Sequence, residues 1–260
     1  MFRRSVGFIG GGRITRILLT GFNRVAFTSS HIVVADPNES AVERLRSRVD
    51  RLEVTPGDNC AAAAQDIVFL AIHPPAFGLV LSEIKTALQP SAIVVSLAQK
   101  HSFARLSEML GDFDRLARMI PNAPSVVGAG FNPIAFASTL SADDRMVLMD
   151  LLQPLGELPE VAEENLEAYA ILTAMGPTYF WPQLYELQAL AEEFGLSREE
   201  AADGLRAMVV GALETMQESG LSPEDVQDLI PVKPMSESED MIRQTYRTKL
   251  TALMDKIRPQ

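Results

Sequence analysis

A glycine-rich turn near the amino end limits most tightly how this chain can fold. The apolar, strand-like run 6–9 leads directly into Gly10-Gly11-Gly12, and a helix-like stretch begins at Arg13. Glycines at such a turn let the backbone bend sharply and let the N–H groups at the helix start face a diphosphate. The turn therefore predicts a strand–turn–helix unit that binds a dinucleotide, although a purely structural loop is the alternative for any glycine-rich turn.

The positions of the turn have different expected roles. Gly10 permits the tight bend, and Gly12 keeps a Cβ out of the path of the phosphates. The third glycine of the usual G-x-G-x-x-G pattern is replaced by Thr15, which we expect to loosen the packing of helix on strand slightly.

An acidic residue follows the second apolar run, at the place where a dinucleotide fold needs one. Asp36 comes directly after the run 32–35, 26 residues beyond Gly10, and its carboxylate is expected to bind a ribose 2′-OH. A carboxylate repels the extra phosphate of NADPH, whereas Arg13 is placed to reach a phosphate. The expected cofactor is NADH or NADPH, with NADH favoured. The expected cofactor-binding residues are Gly10, Gly11, Gly12, Arg13, Ile14, Asp36 and Asn122.

Composition excludes several classes of function. Of the 260 residues 47% are hydrophobic, which is enough for a sizeable core. The net charge of −11 argues against nucleic acid and anionic membranes as partners. The single cysteine, Cys60, fits a cytoplasmic location and is expected to be a buried structural thiol. With three scattered histidines, no metal site is expected.

Short apolar runs alternate with amphipathic stretches through the first half of the chain. This alternation predicts an α/β fold, a Rossmann-type doubly wound and mainly parallel sheet. The predicted strands are 5–9, 31–35, 66–72, 92–97 and 115–120, with an edge strand at 128–138 and a short strand at 156–161. The predicted helices between them are 13–23, 39–49, 76–88, 103–110 and about 141–152.

The second half has helical periodicity only, at 163–194, 197–219, 222–229 and 236–257. We therefore predict a dinucleotide-binding domain over 1–160 and an all-helical domain over 161–260. These helices are too apolar for a small isolated bundle, so the chain is expected to form a homodimer through them.

Two further segments, together with the glycine turn, resemble the pyrroline-5-carboxylate reductase family. Residues 118–130 read Arg-Met-Ile-Pro-Asn-Ala-Pro-Ser-Val-Val-Gly-Ala-Gly, similar to that family's Arg-x-Met-Pro-Asn-Thr-Pro-x-x-Val-Gly-x-Gly. Residues 173–179 read Thr-Ala-Met-Gly-Pro-Thr-Tyr, similar to its Ser-Gly-Ser-Gly-Pro-Ala-Tyr. The resemblance implies a helical dimerisation and substrate domain and hydride transfer from a nicotinamide to a cyclic imine. The implied reaction converts 1-pyrroline-5-carboxylate to proline, or reduces a related imine.

The chain departs from the family pattern at the expected substrate site. The family's Ser-Pro-Gly-Gly-Thr-Thr loop, which binds the substrate carboxylate, is replaced by residues 229–236, Leu-Ile-Pro-Val-Lys-Pro-Met-Ser. Lys233 is a candidate carboxylate partner in place of backbone N–H groups, or else an exposed lysine. The family's Ala-Gly after the fifth strand is Gln99-Lys100 here, and its Lys-Pro after the fourth is His73-Pro74.

The candidate catalytic residues are His73, Thr173 and Lys233. His73 is able to relay a proton near neutral pH, or is a surface histidine before a turn. The hydroxyl of Thr173 replaces that of a family serine, and Asn122 orients the nicotinamide amide or holds its own loop. Three alternatives stay open: an imine reductase with another substrate, a non-catalytic dinucleotide-binding dimer, and a β-hydroxyacid dehydrogenase. The last is disfavoured because no lysine lies between Lys100 and Lys233.

Overall fold

The computed structural model of the chain describes residues 4–24, 31–46 and 52–258. In these ranges the strands are β1 (Val6–Ile9), β2 (Ile32–Ala35), β3 (Leu52–Thr55), β4 (Ile67–Leu70), β5 (Ile93–Ser96), β6 (Leu116–Met119), β7 (Gly130–Phe131), β8 (Ile134–Phe136) and β9 (Gly156–Glu157). The α-helices are α1 (Arg13–Asn23), α2 (Glu39–Arg46), α3 (Asn59–Ala63), α4 (Phe77–Ile84), α5 (Phe103–Met109), α6 (Ala142–Leu152), α7 (Leu166–Tyr169), α8 (Pro177–Glu193), α9 (Arg198–Glu218), α10 (Pro223–Asp228) and α11 (Glu239–Ile257). A π-helix, Ala170–Ala174, follows α7 directly.

Seven of the described strands form one sheet in the order β3-β2-β1-β4-β5-β6-β8. Every neighbouring pair is parallel except β6 and β8, which are antiparallel. The strand order reverses between β1 and β4, which is the switch point of a doubly wound sheet. The predicted Rossmann-type fold is confirmed.

The central strands are buried on both faces of the sheet, which explains their unbroken apolar sequences. On one face the rings of Phe8 and Phe69 stack with their centroids 4.8 Å apart. On the other face Ile9 and Leu70 belong to the core that α4 completes through Phe77. Successive residues of a strand point to opposite faces, so each of these strands anchors two layers of helices.

Two elements that precede α4 were not predicted, and one predicted strand is divided. β3 reads Leu-Glu-Val-Thr at the sheet edge, so its apolar residues alternate with polar ones instead of forming a run. α3 is only five residues long and begins where the side chain of Asp58 accepts a hydrogen bond from the Ala61 N–H. The predicted strand 128–138 is split into β7 and β8, and Pro133 in the gap cannot donate a ladder hydrogen bond.

The chain divides into two compact units, at positions that differ from the predicted boundary at residue 160. The first unit is Met1–Met175 with Leu253–Gln260, and the second is Gly176–Ala252. Leu166 and Ala170 are fully buried with Ile120 of the sheet layer and Ile257 of α11, which explains why α7 and the chain end belong to the first unit. The predicted helix 163–194 is interrupted at the π-helix, after which Pro177 begins α8. Among the described residues, no helix has the length and apolarity that a membrane span requires.

A buried ion cluster attaches α7 to the sheet. The guanidinium of Arg118 on β6 is 1% exposed and binds the carboxylates of Glu163, at 2.9 Å, and of Glu167. Glu163 also accepts the N–H of Phe103, the first residue of α5, at 2.6 Å. Because a buried charge left without a partner is strongly unfavourable, this cluster holds the segment before Thr173 in one place.

Candidate dinucleotide cleft and active-site residues

The glycine turn lies against the neighbouring strand with no room for a side chain at its first position. Gly10 has φ of +101°, and a Cβ there would lie 2.4 Å from the carbonyl oxygen of Ala71. Its N–H donates to the Ala35 carbonyl at 2.8 Å. At Gly12, the N-cap of α1, a Cβ would meet nothing within 4 Å. Gly10 is therefore required by the fold, whereas Gly12 leaves open space in front of the helix N-terminus.

Thr15, which was expected to loosen the packing of helix on strand slightly, makes a direct hydrogen bond to the turn. Its side chain is fully buried, and its hydroxyl donates a short hydrogen bond to the Gly10 carbonyl. The threonine thus ties the first turn of α1 to the bend that precedes it, which a glycine at this position is unable to do.

The carboxylate of Asp36 braces the same turn. One oxygen accepts the Gly11 N–H at 2.6 Å, and the other accepts the Asn38 N–H at 2.7 Å. Each carboxylate oxygen has a second lone pair, so Asp36 retains the capacity to accept hydrogen bonds from a ribose.

A cleft of about 860 Å³ opens in front of the turn, at the carboxyl ends of β1, β2 and β4. Predicted site residues that line it are Gly10, Gly11, Gly12, Arg13, Ile14, Asp36 and His73. Lining residues that the sequence analysis missed include Arg16, Asn38, Arg44, Asn59 and Val80. The helical spacing of Arg16 from Arg13 was a signal that could have been used, whereas Arg44 is brought in by α2 through tertiary folding.

The charge of the cleft differs from that of the whole chain. Arg13, Arg16 and Arg44 line it together with the single acid Asp36, although the chain carries a net charge of −11. Guanidinium groups bind phosphates well, and the N-terminus of α1 adds N–H donors and a favourable dipole. The open space at Gly12, the cationic lining and the volume together fit a dinucleotide diphosphate.

Asn122 and Thr173 lie together in the first unit, but neither lines the cleft. The amide nitrogen of Asn122 donates to the Thr173 carbonyl at 3.3 Å, and its amide oxygen accepts the Phe131 N–H at 3.1 Å. The residue is only 6% exposed. These contacts favour the loop-holding role for Asn122. The Thr173 hydroxyl donates to the Tyr169 carbonyl at 2.9 Å, which leaves its lone pairs as acceptors.

Lys233 belongs to the second unit, where it lines a separate cavity of about 350 Å³. Apolar side chains surround it there, among them Val226, Ile230 and Met235, and Glu239 is the acid in the lining. The lysine side chain is exposed.

Cys60 is half-buried rather than buried, and its thiol lies 3.7 Å from the Glu83 carbonyl oxygen. Partial burial, followed by the nearby carboxylates of Glu83 and Asp58, raises the pKa of this thiol. A thiol with a raised pKa is less often a thiolate, so this environment does not activate Cys60 as a nucleophile.

Comparison with known proteins identifies the family. A family model described as NADP oxidoreductase, coenzyme F420-dependent, matches residues 5–100. The pyrroline-5-carboxylate reductase of Corynebacterium melassecola is 30% identical over 226 residues, which cover 85% of this chain and 83% of that relative. The chain belongs to the pyrroline-5-carboxylate reductase family.

Solved structures of this family share the fold along nearly the whole chain. Pyrroline carboxylate reductase of Plasmodium falciparum, solved with NADP bound, has a TM-score of 0.80 at 22% identity, and the match covers 98% of this chain and 97% of that one. Pyrroline-5-carboxylate reductase of Coxiella burnetii has a TM-score of 0.68 at 26% identity, covering 97% and 93%. The oxidoreductase class predicted from the sequence is confirmed.

Gly10 and Gly12 allow the effects of the turn on stability and on cofactor binding to be measured separately. Gly10→Ala is expected to lower the free energy of unfolding by about 3 kcal/mol, because alanine is strained at positive φ and meets the Ala71 carbonyl. Gly12→Ala is expected to leave the melting temperature nearly unchanged and to weaken NADH and NADPH binding at least about tenfold, because its Cβ occupies the phosphate path. Thermal unfolding and calorimetric titration measure the two effects. Equal binding by wild type and Gly12→Ala would place the diphosphate elsewhere.

Proposed function

We propose that the chain catalyses NAD(P)H-dependent reduction of a cyclic imine, with 1-pyrroline-5-carboxylate to proline as the first candidate reaction. The observation that carries the proposal is the arginine-lined cleft at the glycine turn of a chain in this family. The single cysteine, which has no partner for an internal disulfide, supports a cytoplasmic location.

The bound nicotinamide would supply the hydride. The protein's own tasks are to bind the cofactor and the substrate, to orient them and to exclude water from them. Arg13, Arg16 and the N-terminus of α1 would hold the diphosphate. His73, which lines the same cleft at the end of β4, would hold or pass a proton near the imine nitrogen. Thr173 would accept a hydrogen bond from substrate or nicotinamide, with its backbone fixed by Asn122.

The loop around Lys233 supports a second candidate, an imine reductase whose substrate differs from that of the named relatives. Two prolines, Pro231 and Pro234, have no backbone N–H to donate in this segment. Lys233 offers an ammonium group as a donor instead of those N–H groups. A carboxylate-bearing imine remains compatible with that cation.

Turnover is the direct test of the function. Purified protein is expected to oxidise NADH or NADPH when 1-pyrroline-5-carboxylate is added. The rate is measured as the loss of absorbance of the reduced nicotinamide. A panel of other cyclic and open-chain imines serves as the comparison. Activity with the panel alone would identify the second candidate. Cofactor binding without turnover of any imine would contradict both and indicate a dinucleotide-binding dimer.

Asp36 is the proposed reason for a preference for NADH. Its carboxylate is fixed beside the turn by Gly11 and Asn38, so a 2′-phosphate would meet a stationary negative charge. Asp36→Ser is expected to shift the ratio of the two dissociation constants toward NADPH by at least about tenfold, and calorimetric titration measures both constants.

Asp36→Asn is the matched control, because its amide oxygen still accepts the Gly11 N–H while the charge is gone. The ratio of the NADH and NADPH dissociation constants is expected to shift in this variant also, because the charge that repels the 2′-phosphate is removed while the hydrogen bond to the turn is kept. An unchanged ratio in Asp36→Ser would mean that Asp36 does not contact the ribose.

We further propose that the second unit pairs with a second copy of the chain. None of the α8 side chains is buried, and Phe180, Trp181 and Tyr185 on that helix are exposed. Ala201 is the one buried residue of the 21-residue helix α9. Helices that long are stabilised mainly by packing an apolar face, which here requires a partner.

Light scattering after gel filtration is expected to give twice the 28.4 kDa chain mass at micromolar concentration. The double variant Met208→Glu, Met216→Glu, which places charges on exposed apolar positions of α9, is expected to shift the mass toward the monomer. Leu79→Glu is the control, since Leu79 is 82% exposed on α4 of the first unit. A monomeric wild-type chain would contradict the dimer.

A further inference from the structure

Lys100 has a backbone conformation that lysine rarely adopts. Its φ is +75°, in the left-handed region, and among the described residues Asp112, at +64°, is the other non-glycine residue there. Aspartate tolerates this conformation because its short polar side chain bonds locally, whereas lysine has no such compensation. Strained residues that persist in a fold concentrate at functional sites, which makes the position of Lys100 informative.

Lys100 follows the strand next to the one that leads to His73. β4 and β5 end at Leu70 and Ser96, which are paired in the parallel ladder, and the Leu97 N–H donates to the Leu70 carbonyl at 3.2 Å. His73 lies three residues beyond β4 and Lys100 lies four residues beyond β5. Both residues are therefore at the carboxyl edge of the sheet, where ligands of doubly wound folds bind.

The two loops are also joined by a direct contact. Phe77, which begins α4 just after His73, stacks on the ring of His101 with the centroids 4.6 Å apart. Phe77 is almost fully buried, so this stack is a fixed point. It holds the backbone next to Lys100 against the segment that lines the end of the cleft.

Lys100 supplies a positive charge at this edge that no carboxylate neutralises in the described part of the chain. Its side chain is exposed and takes part in none of the ion pairs found there. The neighbouring cation Arg118 is already bound to Glu163 and Glu167. Partial burial, followed by the charges of Arg118, Arg105 and Lys100, lowers the pKa of His101, which favours the neutral form of that ring.

We propose that Lys100 is a specificity-determining residue that binds the carboxylate of the cyclic imine substrate. The inference rests on the proposed imine reduction and adds the residue that would select imines bearing a carboxylate over imines without one. A glycine at this position would relieve the backbone strain but would carry no charge, which explains why the strained lysine is useful.

Two substrates and two variants test the role. Lys100→Gln and Lys100→Gly are expected to raise KM for 1-pyrroline-5-carboxylate about tenfold, since both variants lose the charge-assisted hydrogen bond from the ammonium group. KM for 1-pyrroline, which lacks the carboxylate, is expected to change less than about twofold in the same variants. A merely structural role would affect both substrates alike.

Stability gives a second, independent measurement. Lys100→Gly is expected to raise the melting temperature by about 2 °C because the left-handed strain is removed. Asp112→Gly is the matched control, because Asp112 also has a left-handed backbone but lies between α5 and β6, at the opposite edge of the sheet. This variant removes the same kind of backbone strain and is expected to leave both KM values unchanged. Lys233→Gln reports whether the second candidate cation contributes to the same selectivity.

The outcomes separate this inference from the function on which it rests. Reduction of both imines with unchanged selectivity in the Lys100 variants would overturn the inference alone. Selectivity lost in Lys233→Gln but kept in Lys100→Gln would overturn it in favour of Lys233. A chain that reduces neither imine would overturn the proposed function together with the inference.

Discussion

The contact between the glycine turn and the two strands beside it determines the rest of the structure. Gly10 bends at positive φ where its backbone touches Ala71, and the Asp36 carboxylate binds the Gly11 N–H. These contacts join β1 to β4 and β2 at the switch point of the sheet. The cleft lies there because the three strands end together while their connections diverge to opposite faces.

A second constraint acts at the other side of the sheet. Arg118 holds Glu163 and Glu167 in a buried cluster, and Asn122 holds the carbonyl of Thr173. The segment from Glu167 to Thr173 passes from α7 into a π-helix, a distortion that is frequent at functional sites. Buried polar contacts of this kind define one arrangement, since any displacement would leave a charge or an amide without a partner.

The distribution of charge connects the fold to its chemistry. The chain as a whole is acidic, yet three arginines line the cleft and Lys100 stands at the same edge of the sheet. An anionic cofactor is therefore drawn to this edge rather than to the rest of the surface. A carboxylate-bearing substrate would meet the same local potential, which unites the proposed roles of the arginines and the lysine.

The sequence by itself determined the fold class, because the apolar runs of the strands and the glycine turn are patterns of residues that are adjacent in the sequence. It also indicated Asp36 and His73, which lie just beyond the carboxyl ends of β2 and β4. It did not indicate β3, an edge strand with alternating polarity, nor Arg44, which α2 carries into the cleft. Only the tertiary structure decided that the Asn122 amide is engaged by Thr173 and Phe131, and that Lys100 is strained. Such properties arise from partners distant in sequence and from backbone angles, and no local pattern of residues encodes them.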